Sequence, residues 1–419
     1  MLIKIFGTVF SKTFASVANF LIVILTAKYL GAGARGEIAL VVLSVSIVSL
    51  FQAIIGGSAL TFFAANQSLK RLLTIALSWS FVLGVIISLT LSFSQLIQSD
   101  LVLELLLISI PQGVVLIFQS ILIGRKRITE YNILEFTRSA TLVITICIVI
   151  LGLGKEELSW IYASYVIANV STVGLGAYFM GQLSRIESNT TYVELSKKLF
   201  RFGIQVQLNN IAQMFNYRFV YFVIEKWKGL EVLGIFSVAI SIAETLWIIC
   251  KSIATFQTSI LVNTTDKLKQ ATSTIAFAKM STAFTFVALV MLLLIPESFF
   301  VSVFGEEFAP IKQINFYFAP AILFLSFFAI INHYFYSIDR NKINIYAALV
   351  GNALTLIFAL YLIKSHDLIG AAVTYSITYF GMLIFIVVYF LRISGLELNA
   401  FAPKKTDLQR FKNLLFKNR

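Results

Sequence analysis

Charge is scarce in this sequence. Aspartate, glutamate, lysine and arginine together make up 13% of its 419 residues, against roughly 25% in soluble domains. With 58% hydrophobic residues and a mean hydropathy of +0.89, an ordinary soluble domain is excluded. Cysteine is nearly absent. Cys147 and Cys250 both fall inside apolar runs, where a thiol packs as a small hydrophobe and says nothing of redox compartment. No P-loop occurs, so this chain does not itself hydrolyse ATP. Large polar insertions on the outer side are also missing, which leaves little room for catalysis, and the chain is not expected to be an enzyme.

Long apolar runs fill the space that charge vacates. They are continuously apolar rather than alternating, so they read as spanning helices and not as the strands of a membrane barrel. Twelve are expected: 7–28, 38–64, 72–94, 101–123, 133–153 and 159–181, then 203–224, 234–261, 274–298, 314–337, 345–363 and 368–391. The first, from about Phe6 to Tyr29, is too long for a signal-peptide core and lacks a small-residue cleavage pattern after it, so it reads as a retained helix. The expected fold is an all-α integral membrane protein of two pseudo-symmetric six-helix lobes around a central cavity. Residues 1–181 form the N-terminal lobe, 182–201 a linker with an amphipathic segment, 202–391 the C-terminal lobe and 392–419 a basic tail.

The two-lobe reading rests on a repeated stretch. Lys28, Gly31 and Gly36 recur as Lys226, Gly229 and Gly234 at one constant spacing, each copy a polar hinge between apolar runs. A second anchor pairs Ile123, Arg125, Arg127 and Ile128 with Ile338, Arg340, Lys342 and Ile343. Internal repeats of this kind are common in transporters. Pro111 and Pro320 fall in the fourth and tenth spans, equivalent places in the two halves but at different registers, so they carry only a weak case for a shared hinge.

Lysine and arginine are concentrated in alternate loops, among them Lys70, Arg71, Arg125, Lys126, Arg127, Lys197, Lys198 and Arg201. That asymmetry puts both termini in the cytoplasm. The net charge of +13 is then mostly charge facing cytoplasmic lipid, and no nucleic-acid partner is expected. Two amphipathic stretches, Tyr192–Arg201 and the tail segment carrying Leu408, Phe411 and Leu415, read as surface anchors. The sequons at Asn66, Asn189 and Asn263 fall on the cytoplasmic side and are discounted.

Charges inside spans are costly, about 2.5 to 3.5 kcal/mol each at a helix centre, and mark candidate function. The substrate-path cations are Lys12, Arg138, Arg218 and Lys251; Glu135 and Glu244 are candidates for ion coupling. Glu135 and Arg138, three apart, can pair on one helix. Glu244 and Lys251 share a face with Ser237, Thr255 and Thr258, and Lys12 shares a stripe with Ser16, Asn19 and Thr26. The seventh span carries Asn209 and Gln213 on one stripe and Asn210 on the next, more polarity than a lipid-facing helix tolerates. Lys279 reads as snorkelling to the inner surface. Cations outnumber acids in this set, which favours an anionic substrate.

The stretch AKYLGAGARGEIALVVLSVSIVSL, its echo KGLEVLGIFSVAISIAE and the segment VFGEEFAPIKQINFYFAPAILF resemble the polysaccharide-export flippases. These are the Wzx-type lipid-linked oligosaccharide translocases, whose superfamily also holds multidrug and toxic compound extrusion transporters. Ala32 to Arg35 departs from that family, which usually has a proline and an acid there. The resemblance implies alternating access by two six-helix lobes in the bacterial plasma membrane, moving a polyprenyl-diphosphate-linked glycan from the inner to the outer leaflet. It implies membrane lipid and other polysaccharide-assembly proteins as partners and no cofactor beyond a coupling ion, H+ or Na+. A drug or metabolite antiporter of related architecture is the alternative, with Tyr217, Phe219 and Tyr221 supplying an aromatic cavity. A membrane glycan polymerase or ligase is the third.

Overall fold

The computed structural model describes residues 2–94, 99–184, 186, 190–261, 264 and 266–402. Among these there is helix, turn and loop but no strand. The tail residues Leu408, Phe411 and Leu415 and the sequon asparagines 189 and 263 lie outside the described residues.

In chain order the helices are α1 (Leu2–Gly56), α2 (Ser58–Phe63), α3 (Leu69–Phe93), α4 (Val102–Gly124), α5 (Ile128–Cys147), α6 (Leu158–Gly181) and α7 (Tyr192–Thr245). They continue with α8 (Trp247–Leu261), α9 (Lys267–Leu294), α10 (Glu297–Phe304), α11 (Ile311–Ser337) and α12 (Asn341–Ser394). At 1.5 Å per residue the 55 residues of α1 would run about 80 Å, far beyond a hydrocarbon core of about 30 Å. It does not run straight. Gly31 interrupts it at φ 80°, ψ 177°, and Gly229 interrupts the 54-residue α7 at φ 86°, ψ 178°. Only glycine adopts that backbone readily.

Here the structure sharpens the expected hinge. Polar loops were expected from Lys28 to Gly36 and from Lys226 to Gly234, but helix continues on both sides of a one-residue break. A third break falls at Asp367 (φ 50°, ψ −130°) within α12, where an ion pair from Lys228 holds the carboxylate. Among the described residues the twelve expected spans therefore appear as nine stretches long and apolar enough to cross a membrane, counting α7 with α8, and three of the nine are broken internally.

The second sequence anchor is corrected in register. Lys126 (φ 59°) and Asp339 (φ 56°) occupy the same place in two like turns. In one, the Lys126 and Arg127 amides donate to the Ile123 and Leu122 carbonyls; in the other, those of Asp339 and Arg340 donate to Tyr336 and Phe335. Nested bonds of this kind close a helix C-terminus. Arg127, and not Arg125, is therefore the counterpart of Arg340.

The chain forms two compact units, Met1–Ile211 and Ala212–Arg419. In the first, Leu195 and Leu199 at the start of α7 are fully buried against Ile54, Leu60, Leu72, Ile117 and Leu134. Lys197, Lys198 and Arg201 are exposed. The amphipathic stretch thus packs one face into this core and leaves its basic face outside. Gly203 then permits a backbone crossing, since a Cβ there would meet the Ile54 carbonyl oxygen at 1.6 Å. Gln52 is fully buried and its amide donates to the Ser80 and Ser109 carbonyls at 3.1 and 3.2 Å, joining α1, α3 and α4. In the second unit, Ala254, Phe277, Ala278, Met280 and Ile330 seal α8, α9 and α11 together.

Candidate functional site

In the first unit, α5 places Glu135 and Arg138 one turn apart, with Arg138 Nη2 3.7 Å from Glu135 Oε1. Gln119 of α4 donates to the other carboxylate oxygen at 2.7 Å. Lys12 and Asn19 of α1 are exposed, as is Ser16. Thr26 leaves their stripe: it is fully buried and its hydroxyl donates to the Ile22 carbonyl at 2.7 Å. The expected four-residue stripe is thus three residues long, because the helix turns its fourth polar position into the packing. On α7, Asn209 is buried, whereas Asn210 is exposed and donates to Gln207 at 2.8 Å.

In the second unit, the break at Gly229 folds α7 back so that Glu244 meets Arg218. The guanidinium Nη2 lies 3.0 Å from Glu244 Oε1, and Nη1 donates to the Tyr221 hydroxyl at 2.8 Å. Tyr217 packs edge-on to Trp247 at 5.1 Å, and Tyr375 donates its hydroxyl to the Tyr217 carbonyl. Tyr379 stands 6.1 Å from Tyr217. An aromatic wall therefore surrounds a partly exposed ion pair.

Lys251 does not share a continuous face with Glu244. The helix gives way at Leu246, whose amide turns back to the Ala243 carbonyl, and α8 starts afresh at Trp247. Lys251 is exposed, with its ammonium 5.5 Å from the Trp247 ring, within cation–π reach. Gln213 is half-buried. Asn216, deeper on the same helix, is fully buried and donates to the Ala348 carbonyl at 3.1 Å, while the Asn352 amide nitrogen meets Asn216 Oδ1 at 2.6 Å. The Lys279 ammonium donates to the Ala402 carbonyl at 2.6 Å, clasping the segment that follows α12.

The structure thus sorts the four cations. Arg138 and Arg218 carry carboxylate partners; among the described residues Lys12 and Lys251 form no ion pair. Sequence reading missed Asn352, and also His333 of α11, whose Nδ1 lies 3.0 Å from the Thr258 hydroxyl of α8. A polar side chain in an apolar run was the available signal for both.

No protein-family model matches the chain, and no curated protein sequence matches it. Solved structures do. An inward-facing multidrug resistance MATE family transporter of the MOP superfamily superposes with a TM-score of 0.70 at 15% identity, over 97% of this chain and 96% of that one. The lipid II flippase MurJ, in an inward closed conformation, gives 0.67 at 14% identity over 99% and 96%. A MOP superfamily transporter from Pyrococcus furiosus, described as having a binding pocket of reversed polarity, gives 0.63 at 14% identity over 98% and 96%. The chain is a multi-pass, all-helical membrane protein with the fold these transporters share.

Proposed function

We propose that this protein is a flippase that moves a polyprenyl-diphosphate-linked oligosaccharide from the inner to the outer leaflet of a bacterial plasma membrane by ion-coupled alternating access. Counting each arm of the three broken helices as a crossing brings the nine stretches to twelve, six per lobe, with both termini cytoplasmic. The observation that carries the reading is the pair of lysines without carboxylate partners among the described residues, Lys12 in one unit and Lys251 in the other. An ammonium held in a spanning helix without an acid is expensive unless something anionic visits it. A diphosphate is such a visitor, and its charge suits a point cation on a flexible stem. Asn19, Asn209, Asn210 and Gln213 would supply hydrogen bonds to sugar hydroxyls. The likeness in fold to a lipid II flippase supports a lipid-linked cargo.

The test uses cells lacking the gene and complemented with Lys12→Ala or Lys251→Ala. Surface glycan is expected to disappear while folded protein persists in the membrane and linked repeat units accumulate on the inner leaflet. Normal glycan in both variants would overturn the substrate role.

A second reading is an antiporter for drugs or metabolites. It is favoured by the wall of Tyr217, Tyr221, Trp247, Tyr375 and Tyr379 beside Glu244, which suits a flat cation. Resistance conferred on a strain stripped of its own exporters, lost on Glu244→Gln, would select it.

A further inference from the structure

The second unit continues past its last helix. Gly395, in the left-handed region at φ 68°, ends α12 with its amide on the Leu391 carbonyl, and the chain turns back as a short strap in which Leu398–Phe401 form a 3-10 turn. The far end of the strap is pinned. Phe401 packs 5.2 Å from Phe327 of α11 and 5.8 Å from Phe390 of α12, and the Ala402 carbonyl accepts from Lys279 of α9. Between strap and α9 lies a cavity of about 370 Å³, near the lower end of the roughly 300–1,000 Å³ found for small-molecule sites.

Thr272, Ile275 and Lys279 line this cavity from one face of α9, and Glu397 and Asn399 line it from the strap. Opposite charges therefore share one space without closing on each other: among the described residues no ion pair joins Lys279 to Glu397. Each is held by its own neighbour. The ammonium is fixed at 2.6 Å by the Ala402 carbonyl, and the carboxylate at 2.7 Å by the side-chain amide of Asn399. Opposite charges kept apart across a cavity match a molecule that carries both. The place narrows the choice. The expected span 274–298 begins at this level and 368–391 ends just before the strap, where lipid headgroups lie. Leu398, between the two polar strap residues, is 67% exposed, which suits a surface that meets acyl chains.

We propose that this cavity binds the phosphoethanolamine head of a membrane lipid, with its phosphate at Lys279 and its ammonium at Glu397. A primary ammonium donates hydrogen bonds to the carboxylate. A choline head carries the same charges but has no N–H to donate, and a phosphoglycerol head brings an anion toward Glu397 with no cation to offset it. The inference does not depend on what the protein transports; the transport reading serves only to name the leaflet, the inner one.

The test uses the full-length protein in detergent, with native mass spectrometry reading the dissociation constant of the first bound lipid. Phosphatidylethanolamine, phosphatidylcholine and phosphatidylglycerol with identical acyl chains are titrated separately, and the first should bind most tightly. Glu397→Gln keeps the side-chain shape and leaves an acceptor for Asn399. It should weaken phosphatidylethanolamine about fivefold, the upper end for a charge pair near water, and should not weaken phosphatidylglycerol. Thr272→Trp fills the cavity with both charges in place and should erase the preference. Glycerophosphoethanolamine, the same head without chains, should compete poorly; competition equal to that of the whole lipid would overturn the assignment to a lipid. Equal binding of the three lipids by the parent, a Glu397→Gln loss shared alike by all three, or a preference that survives Thr272→Trp overturns the site.

Discussion

Replacing Gly229 by alanine isolates the cost of one backbone conformation. At φ 86° and ψ 178° the residue occupies a region essentially closed to side chains, yet a Cβ placed there meets nothing within 4 Å. No clash contributes, so the whole penalty is torsional, about 1–3 kcal/mol. Gly31 has nearly the same angles, φ 80° and ψ 177°, so Gly31→Ala should carry a similar torsional penalty. Gly33 supplies the contrast. It belongs to the same motif, but it is helical, exposed and equally free of neighbours, so Gly33→Ala should stabilise by about 0.5–1 kcal/mol. The assay is reversible unfolding in mixed micelles, followed through the chain's four tryptophans. A Gly229→Ala protein within about 0.5 kcal/mol of the parent, the scatter of neutral surface changes, would refute the reasoning. So would a Gly33→Ala cost matching that of Gly31→Ala.

Other consequences are as direct. A double-mutant cycle on Arg218→Met and Glu244→Gln, measured by the same unfolding assay, should give a coupling of about 1–3 kcal/mol, because the pair is largely shielded yet still reached by water. Gly203→Ala should cost about 3 kcal/mol or more, since the new methyl overlaps the Ile54 carbonyl and backbone must move; thermal denaturation in detergent will show it. Gln52→Leu removes two buried hydrogen bonds and should lower stability by about 2 kcal/mol, at about 1 kcal/mol each.

What could be read from the sequence follows from how far each interaction reaches along the chain. The repeated Lys28 and Lys226 stretches were legible because one backbone geometry demands glycine, and a demand of that kind leaves a letter. The second anchor slipped by two residues because isoleucine and arginine are common at a helix end, whereas the nested amide bonds that define the turn have no letter of their own. The same rule sorts the site. Glu135 and Arg138 meet at one turn's spacing within a helix, a contact that periodicity can find. Arg218 and Glu244 are 26 residues apart and meet only because Gly229 folds α7 back on itself. Glu244 and Lys251, seven apart, look like neighbours and are not, since Leu246 ends one helix without glycine or proline to announce it. Helical periodicity therefore holds within an arm and fails at every break. In this chain the breaks are what bring charge to charge, so the partners that distinguish Lys251 from Arg218 become visible only once each arm has been folded onto its neighbour.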